Sequence, residues 1–262
     1  IDCLSGYYTM FWEENMTVDI IHEEFANDLS KYKLLILPTA TAIAPEFAEK
    51  LKAYIAQGGT VLSEQMFGIF DPTFKLSYSV PGYGFDKIFG ANEDDLLPRS
   101  SVTLTGVDGI LKLEGNRYAE TLKNVEADVL YSYEDGSPAI IKKAYGDGTV
   151  IYSGVNLGFC YSGRELVGDD FSSEDAANIS TGSKKFVMNL CDKLAVSKNR
   201  CSAKDVKVSV IETENSAIII AINSSSEKRA GSISLNKEYK TAQVVYGQGE
   251  AEIQGKELRF EL

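Results

Sequence analysis

The clearest pattern of apolar and polar positions predicts a strand, a helix and a second strand early in the chain. Residues 33–37 contain the continuous apolar run Leu34–Leu37, typical of a strand buried on both faces. Pro45 suits the first turn of a helix, and Gly58-Gly59 suits its end. The helix carries an apolar stripe at 3.6-residue spacing, formed by Phe47, Leu51, Tyr54 and Ile55. With a second strand at residues 60–63, the pattern is that of one parallel crossover unit.

Further elements are predicted on either side of this unit. Residues 6–15 fit an amphipathic helix, and residues 18–21 fit a short β-branched strand. Residues 71–90 are rich in Pro, Gly and aromatic residues, which indicates a long ordered loop with a short helix at residues 85–89. Loops of this length are more often functional or interfacial than idle.

The middle of the chain predicts more strands and a closing helix. Residues 102–113 and 125–133 alternate, as in an antiparallel or mixed sheet, and residues 139–153 indicate a hairpin. Residues 164–181 are polar and acidic, as expected of a surface insertion. Apolar residues at helical spacing in residues 183–194 predict the helix that closes the first domain.

The pattern changes after a polar linker at residues 195–204. Short strands separated by Gly, Asn, Ser and Lys predict a small all-β domain, near the lower size limit for independent stability. Its predicted strands are residues 206–212, 217–223, 231–235, 242–246 and 258–262. The sequence therefore predicts two domains, residues 1–197 and residues 203–262.

Composition narrows the possible partners. The 262 residues are 44% hydrophobic and 24% charged, as in a folded protein, and no apolar run has the length of a membrane span. A formal net charge of −12 argues against nucleic acid and anionic membranes as partners, because both require clustered Lys and Arg. The chain starts at Ile1 without an initiator Met, which suggests a piece of a longer protein or a processed form. A cytoplasmic location is expected, with a removed signal peptide left open.

The residues that usually bind metals are sparse. Cys3, Cys160, Cys191 and Cys201 form no C-x-x-C motif and have no zinc-ligand spacing, and the only histidine is His22. We therefore predict no metal site, no organic cofactor and a reduced compartment. Two weaker metal hypotheses are each outweighed by a solvated turn or loop; they involve His22-Glu23-Glu24 and the acidic group Asp169, Asp170, Glu174 and Asp175.

A few polar residues are candidates for ligand binding or catalysis. Glu64 and Gln65 follow the second strand at the mouth of the sheet, and Asp71 begins the long loop, so all three are candidate binding residues, with a structural cap or turn as the competing interpretation. Cys160 follows a later strand and could be an elbow nucleophile. It has no candidate base, and a small buried hydrophobe is the favoured interpretation.

Aromatic residues are concentrated on and near the long loop. They could be core residues, a protein–protein interface or a sugar-stacking surface, because aromatics serve all three roles. The candidate interface residues are Phe67, Phe70, Phe74, Tyr78 and Tyr83.

Four stretches in this order resemble the accessory part of glycoside hydrolase family 42 β-galactosidases. The most specific reads YKLLILPTATAIAPEFAEKLKAYIAQGGTVL and is followed by FGIFD. The others are the VDII segment after the aromatic helix, the hairpin AIIKKAYGDGTVIYSG and the IIIAINS strand of the small β domain. In that family a trimerisation domain follows the catalytic barrel, and a small β domain ends the chain.

The resemblance implies an α/β, flavodoxin-like fold with a mainly parallel sheet, similar to class I glutamine amidotransferases, followed by a small antiparallel β domain. In amidotransferases a G-x-C-x-G turn follows the strand after the Gly-Gly; here Ser63, Glu64 and Gln65 stand at that turn, so no nucleophile is carried over. The family's two catalytic glutamates lie on barrel strands that this chain lacks. We therefore carry over no catalytic residue.

The resemblance implies an assembly region of a β-galactosidase-like enzyme. Its partners would be the catalytic barrel of the parent protein or further copies, with a trimer as in the family, and the parent would hydrolyse terminal β-galactosides with retention. Two alternatives stay open. One is a stand-alone small-molecule enzyme that uses Glu64 or Cys160, and the other is a sugar-binding module.

Overall fold

The computed structural model describes residues 2–71, 73–162, 181–198, 200–203, 205–247 and 249–262. Contacts divide the chain into two compact units. Unit 1 contains the described residues of Ile1–Tyr7 and Ile20–Val196, and unit 2 contains those of Tyr8–Asp19 and Ser197–Leu262. No helix in these residues is long and apolar enough to cross a membrane.

Unit 1 combines strands and helices around a mixed sheet. Its elements are α1 (Asp2–Glu13, shared with unit 2), β1 (Leu34–Leu37), α2 (Pro45–Ala56), β2 (Thr60–Glu64), α3 (Phe85–Phe89), β3 (Asn92–Pro98), β4 (Ser101–Gly106), β5 (Gly109–Glu114), β6 (Tyr118–Lys123), β7 (Asp128–Ser132), β8 (Pro138–Tyr145), β9 (Gly148–Ser153), α4 (Leu157–Ser162) and α5 (Thr181–Lys193). The main sheet has the order β1-β2-β9-β8-β7-β4-β5, and β3 pairs with β6 in a separate two-stranded sheet.

The main sheet corrects the prediction of a mainly parallel sheet. Within the described residues, β1–β2 and β2–β9 are its parallel pairs. The pairs β9–β8, β8–β7, β7–β4 and β4–β5 are antiparallel. The cause is the short connections, because a tight turn such as that between β8 and β9 can join antiparallel strands only. The coarse prediction of an α/β fold with strands of both directions is confirmed.

Helix α2 forms as its sequence predicts and covers the parallel part of the sheet. Pro45 occupies its first turn, and Ala48, Leu51, Tyr54 and Ile55 are its buried residues. At its C-terminal end, Gly58 adopts a left-handed conformation with φ +106°, which costs glycine little. The helix therefore ends where the next strand must begin.

The core of unit 1 contains a group of packed aromatic rings. Phe67 packs edge-on against Phe85 and Phe89, with ring centroids 4.8 Å and 5.3 Å away. Phe89 in turn stacks on Tyr152 of β9 at 4.9 Å. The predicted helix at residues 85–89 is confirmed, and its role is to bring two of these rings under the sheet.

Several local predictions for unit 1 were wrong. Residues 18–21 form no strand, whereas residues 102–113 agree with the predicted antiparallel strands and form β4 and β5. β1 is half-buried, not buried on both faces, because it lies at the edge of the main sheet. β3 and β6 were not predicted. The predicted insertion at residues 164–181 lies almost entirely outside the described residues.

Unit 2 contains the C-terminal strands and the second half of α1. Its strands are β10 (Arg200–Cys201), β11 (Val206–Glu212), β12 (Ala217–Asn223), β13 (Ala230–Tyr239) and β14 (Glu250–Glu261). They form the sheets β10-β13-β14 and β11-β12, all antiparallel, around Val206, Val208, Ile233, Leu258 and Phe260. The small antiparallel β part is confirmed.

The errors in unit 2 are local. Residues 242–246 were predicted as a strand but have no regular structure, and the predicted linker contains the short strand β10. Asn15 caps the free edge of β11: its amide accepts a hydrogen bond from Val208 N–H at 3.0 Å and donates one to Val206 O at 3.3 Å. An edge strand satisfied in this way is less available for pairing with another chain.

Replacement of Leu51 tests the placement of α2. Leu51 is fully buried, so Leu51→Ala should lower the free energy of unfolding by about 2–5 kcal/mol through lost burial and a cavity. Leu76 is largely exposed and serves as the matched control, with an expected loss below about 0.5 kcal/mol for Leu76→Ala. Chemical denaturation followed by circular dichroism measures both; equal losses would contradict this packing.

Candidate functional site

The most unusual group in unit 1 is the carboxylate of Glu64, which is fully buried at the end of β2. Its Oε1 accepts hydrogen bonds from the Tyr7 hydroxyl at 2.8 Å and the Gly158 N–H at 3.0 Å. Its Oε2 accepts from the Cys3 thiol at 2.7 Å and the Thr39 N–H at 3.2 Å. A buried carboxylate is tolerated only when it is hydrogen bonded or paired, and Glu64 meets this condition fully.

Three segments meet at Glu64. Helix α1 supplies Cys3 and Tyr7, the loop after β1 supplies Thr39, and α4 supplies Gly158. Glycine is required at 158 because a Cβ there would lie 2.3 Å from the Cys3 carbonyl oxygen and 2.5 Å from the Tyr7 ring. The carboxyl edge of the parallel strands, where α/β proteins usually bind ligands, is therefore filled by the protein's own helices.

Gln65 continues the polar cluster beyond Glu64. Its buried side-chain amide is hydrogen bonded to that of Asn156, just after β9. The Asn156 amide also donates to Thr39 Oγ1 at 3.3 Å, and its backbone N–H donates to Asn116 Oδ1 at 3.1 Å. The Cys160 thiol donates to that same oxygen at 3.8 Å. The side chains of Glu64 and Gln65 are thus hydrogen bonded to other residues inside the fold.

The electrostatics of this cluster oppose nucleophilic chemistry. Burial raises the pKa of Glu64, while the hydrogen bonds from Cys3, Gly158, Tyr7 and Thr39 act in the opposite direction. Burial, followed by the charge of Glu64, raises the pKa values of Cys3 and Tyr7. Both groups therefore stay protonated at neutral pH and donate to the carboxylate. A thiol without its thiolate form is a poor nucleophile.

The turn after β2 contains two residues with positive φ. Met66 has φ +62° and Gly68 has φ +61°, which is a strained conformation for a methionine. A sharp, strained turn after a strand is where α/β enzymes present a nucleophile, and a thioether cannot serve as one. The Met66 N–H donates to Glu120 Oε2 at 2.7 Å. Glu120 was not identified from the sequence.

Cys160 is fully buried in α4, as its favoured interpretation predicted. Burial, and then the charge of Glu64, raises the pKa of its thiol. His22 lies on the surface, where its Nδ1 accepts the Glu24 N–H at 3.3 Å at the start of a 3-10 turn. The structure therefore places the one histidine in a surface turn and the thiol in the interior.

Asp71 organises the start of the long loop. Its Oδ1 accepts from the Thr73 N–H and hydroxyl, both at 2.8 Å, and from the Lys75 N–H at 2.9 Å. The bond from Lys75 and then the bonds from Thr73 lower the pKa of Asp71. These contacts agree with the turn interpretation, and its use as a binding residue stays a prediction.

The candidate interface residues divide by exposure. Phe67 belongs to the core and is fully buried, so it offers no surface to a partner. Phe70 and Tyr83 are half-buried, and the Tyr83 hydroxyl donates to Phe70 O at 3.3 Å. Phe74 is 77% exposed and Tyr78 is completely exposed. Among the five candidates, the exposed aromatics therefore lie on residues 69–80, which we call the aromatic loop.

The structure gives no geometric support to the two metal-site hypotheses. Glu23 Oε2 accepts the Ala44 N–H at 2.9 Å, ahead of α2. In the part of the chain that the structure describes, no group of three or more His, Cys, Asp or Glu side chains is arranged to hold a metal ion. The acidic group at residues 169–175 lies outside the described residues.

Several members of the cluster were missed, namely Cys3, Tyr7, Asn116, Glu120 and Asn156. One signal could have identified Asn156, because polar residues after two neighbouring parallel strands meet at the same edge of a sheet. Glu120 gives no such signal, since its segment was not predicted as a strand and an isolated glutamate is usually exposed.

Substitution of Glu64 tests the buried carboxylate. Glu64→Gln replaces one acceptor oxygen by an NH2 group that faces donors, and we expect a loss of about 1–3 kcal/mol in the free energy of unfolding. Glu134→Gln, on an exposed turn, is the control and should change stability little. A Glu64→Gln variant as stable as the unmodified chain would contradict the proposed acceptor role.

Thiol labelling tests the elbow alternative. Cys201 is half-exposed, whereas Cys3, Cys160 and Cys191 are buried. In the folded protein, iodoacetamide at neutral pH should modify Cys201 first and Cys160 about a hundredfold or more slowly, because Cys160 must await local opening. Mass spectrometry of digests reads the sites; preferential labelling of Cys160 would restore its candidacy as a nucleophile.

Comparisons with known proteins agree on one family. Residues 2–168 match the family described as "Beta-galactosidase trimerisation domain". The chain is 31% identical over 163 residues to β-galactosidase GalA of Bacillus licheniformis, and 27% identical over 160 residues to GanA of Bacillus subtilis. Each match covers 59% of this chain and 23% of the relative, so the chain spans about a quarter of these relatives' length.

Solved structures show the same fold over nearly the whole chain. A catalytic mutant of Gan42B, a GH42 β-galactosidase from G. stearothermophilus, aligns with TM-score 0.71 and 24% identity, covering 99% of this chain and 36% of that one. The β-galactosidase of Bacillus circulans sp. alkalophilus gives TM-score 0.73 and 19% identity, covering 99% and 37%. On the match over residues 2–168, this chain belongs to the β-galactosidase trimerisation domain family.

Proposed function

We propose that this chain is a non-catalytic assembly region of a β-galactosidase-like glycoside hydrolase. The proposal is supported by the family match together with the side chains found at the turn after β2. Met66 stands at the strained position, and the nearby carboxylate of Glu64 is engaged by internal donors. Both observations support a scaffold role over the stand-alone enzyme alternative.

A flavodoxin-like, amidotransferase-like origin is part of this proposal. It is supported by the parallel order β1-β2-β9, by α2 between the first two strands, and by the positive φ at Met66. The antiparallel strands would then be a later extension of that sheet. We also propose the domain limits 1–197 and 203–262, supported by the division of contacts between Val196 and Ser197.

The aromatic loop is the proposed assembly surface. It exposes Phe74, Leu76 and Tyr78 together, whereas aromatic side chains of this size are usually buried. Its backbone is tied down: the Ser77 N–H donates to Ile69 O at 2.8 Å, and the Ser77 hydroxyl donates to Gly68 O at 2.8 Å. A rigid loop presenting apolar rings loses little entropy on binding, which favours a protein interface.

The partners follow from this role. The loop would bury its aromatics against further copies of the chain, as the family description of trimerisation suggests, or against the catalytic barrel of the parent protein. The parent would hydrolyse terminal β-galactosides with retention, using two barrel glutamates about 5–5.5 Å apart. A cytoplasmic location remains a prediction.

Loss of exposed aromatics tests the assembly surface. Phe74→Ala combined with Tyr78→Ala should weaken self-association by about tenfold to a thousandfold, because truncation of interface aromatics typically costs about 1–4 kcal/mol. Sedimentation over a concentration series measures the change. The same preparations should release no nitrophenol from nitrophenyl β-galactoside, as expected of a chain without catalytic residues.

The control removes apolar side chains from another exposed site. Val107 and Ile110 lie at the β4–β5 turn and are largely exposed, so Val107→Ala with Ile110→Ala removes apolar surface away from the loop. Equal loss of association in both double variants would show that the aromatic loop is not the interface. Turnover of the galactoside that Glu64→Ala abolishes would favour the stand-alone enzyme.

A further inference from the structure

Two acidic side chains meet beneath the aromatic loop. Glu120 of β6 is fully buried, and Glu93 of β3 is partly buried. These strands are antiparallel neighbours, with Glu93 opposite Leu122 and a bulge between Glu93 and Asp95. Glu120 is two residues from Leu122 on β6, so Glu93 and Glu120 lie on the same face of this strand pair as diagonal neighbours.

The hydrogen bonds around Glu93 and Glu120 indicate that one proton lies between their carboxyl groups. Glu120 Oε1 accepts from the Tyr152 hydroxyl at 2.7 Å, and Glu120 Oε2 accepts from the Met66 N–H at 2.7 Å. Glu93 Oε2 is buried, and no N–H or hydroxyl donor in the described residues reaches it. Two neighbouring buried carboxylates repel each other, and the repulsion is removed when one of them carries a proton.

The same pair holds both ends of the aromatic loop. Ahead of the loop, in the turn after β2, Glu120 accepts a hydrogen bond from the Met66 N–H. At its end, the Glu93 N–H donates to Val80 O at 2.7 Å, and the neighbouring Asn92 amide donates to Ser79 Oγ at 2.8 Å. The two neighbouring strands that carry Glu93 and Glu120 therefore hold the segments on either side of the aromatic loop.

We propose that Glu93 and Glu120 share one bound proton, and that this proton holds the aromatic loop in its ordered form. When the proton leaves, two adjacent negative charges push β3 and β6 apart. The hydrogen bonds from Met66 to Glu120 and from Glu93 to Val80 then break, and the loop is released. Self-association should then weaken as well, a consequence that rests on the proposed function of the loop.

The surroundings of the pair favour the protonated form. Burial, followed by the charge of Glu93, raises the pKa of Glu120 to about 8. Burial and the charge of Asp95 on β3 raise the pKa of Glu93, and Lys123 on β6 lowers it, although that ammonium is 3.0 Å from Asp94. The other titratable groups facing the pair are Tyr152 on β9 and Tyr133 after β7, whose own pKa values are raised.

The sign of the pH dependence follows from these directions. The folded state keeps the proton up to about pH 8, whereas an unfolded chain releases it near the ordinary glutamate value of about 4.3. The stabilisation by the pair is therefore complete below about pH 4.3 and declines as the pH rises to about 8. Above that pH the folded protein itself carries the repelling charges.

Hydrogen exchange of the full 262-residue chain tests the proposal. After correction for the intrinsic exchange rate, protection of residues 66–80 should fall at least tenfold between pH 7 and pH 9. In Glu93→Gln the amide donates to Glu120 without a proton, so protection should stay within about twofold over this range. Glu134→Gln, an exposed glutamate elsewhere, should follow the unmodified chain.

A second measurement does not depend on the folding of the variants. Infrared spectra of the unmodified chain at neutral pH should contain the C=O stretch of a protonated carboxylic acid, and this band should disappear by pH 9. Absence of the band at neutral pH would overturn the proposal, as would exchange of the loop that is independent of pH. Stabilisation of the loop at pH 9 by added Ca²⁺ or Mg²⁺ would show a cation site and not a proton site.

Self-association of the chain is measured separately, by sedimentation in the same buffers. A loop that loosens at high pH without any change in association would support the proton-sharing pair and contradict the proposed interface. Association that weakens at high pH while the loop stays protected would contradict the pair and leave the interface proposal standing.

Discussion

The fold of unit 1 depends on satisfying one buried charge, the carboxylate of Glu64. An ion in the interior costs several kcal/mol unless donors surround it, and here the donors come from α1, the loop after β1 and α4. These segments are far apart in sequence, so the carboxylate aligns them only when all have folded. Loss of any one donor leaves a charge without compensation, which makes this contact more demanding than an apolar one of similar size.

A second buried carboxylate extends the same logic to the turn after β2. The strained backbone of Met66 is held by Glu120, which also accepts from Tyr152. In an enzyme such strain serves to present a nucleophile, and the surrounding structure must supply the stabilisation. Here the stabilised element is the start of a loop that exposes aromatic side chains. The same backbone device can therefore serve assembly when the reactive side chain is absent.

The sequence predicted those features that depend on local periodicity. The stripe of α2, the strands around it, the short helix after the long loop and the hairpin of β8 and β9 all agree with the structure. It could not predict which strands pair, because the direction of β7 and β4 depends on tertiary neighbours and short turns. It also could not identify Glu120, since the burial of this charge is decided by β3 and by Tyr152, both distant in sequence.

The placement of the charges explains why the exposed surface can be apolar. A loop with Phe74, Leu76 and Tyr78 outside would tend to collapse onto its own core unless its ends were fixed by directional contacts. Hydrogen bonds to carboxylates are directional and strong, and apolar packing is neither. Polar groups on β3 and β6 therefore hold the segments on either side of the loop. Under the proposed function, stability and binding are assigned to different residues of the same region.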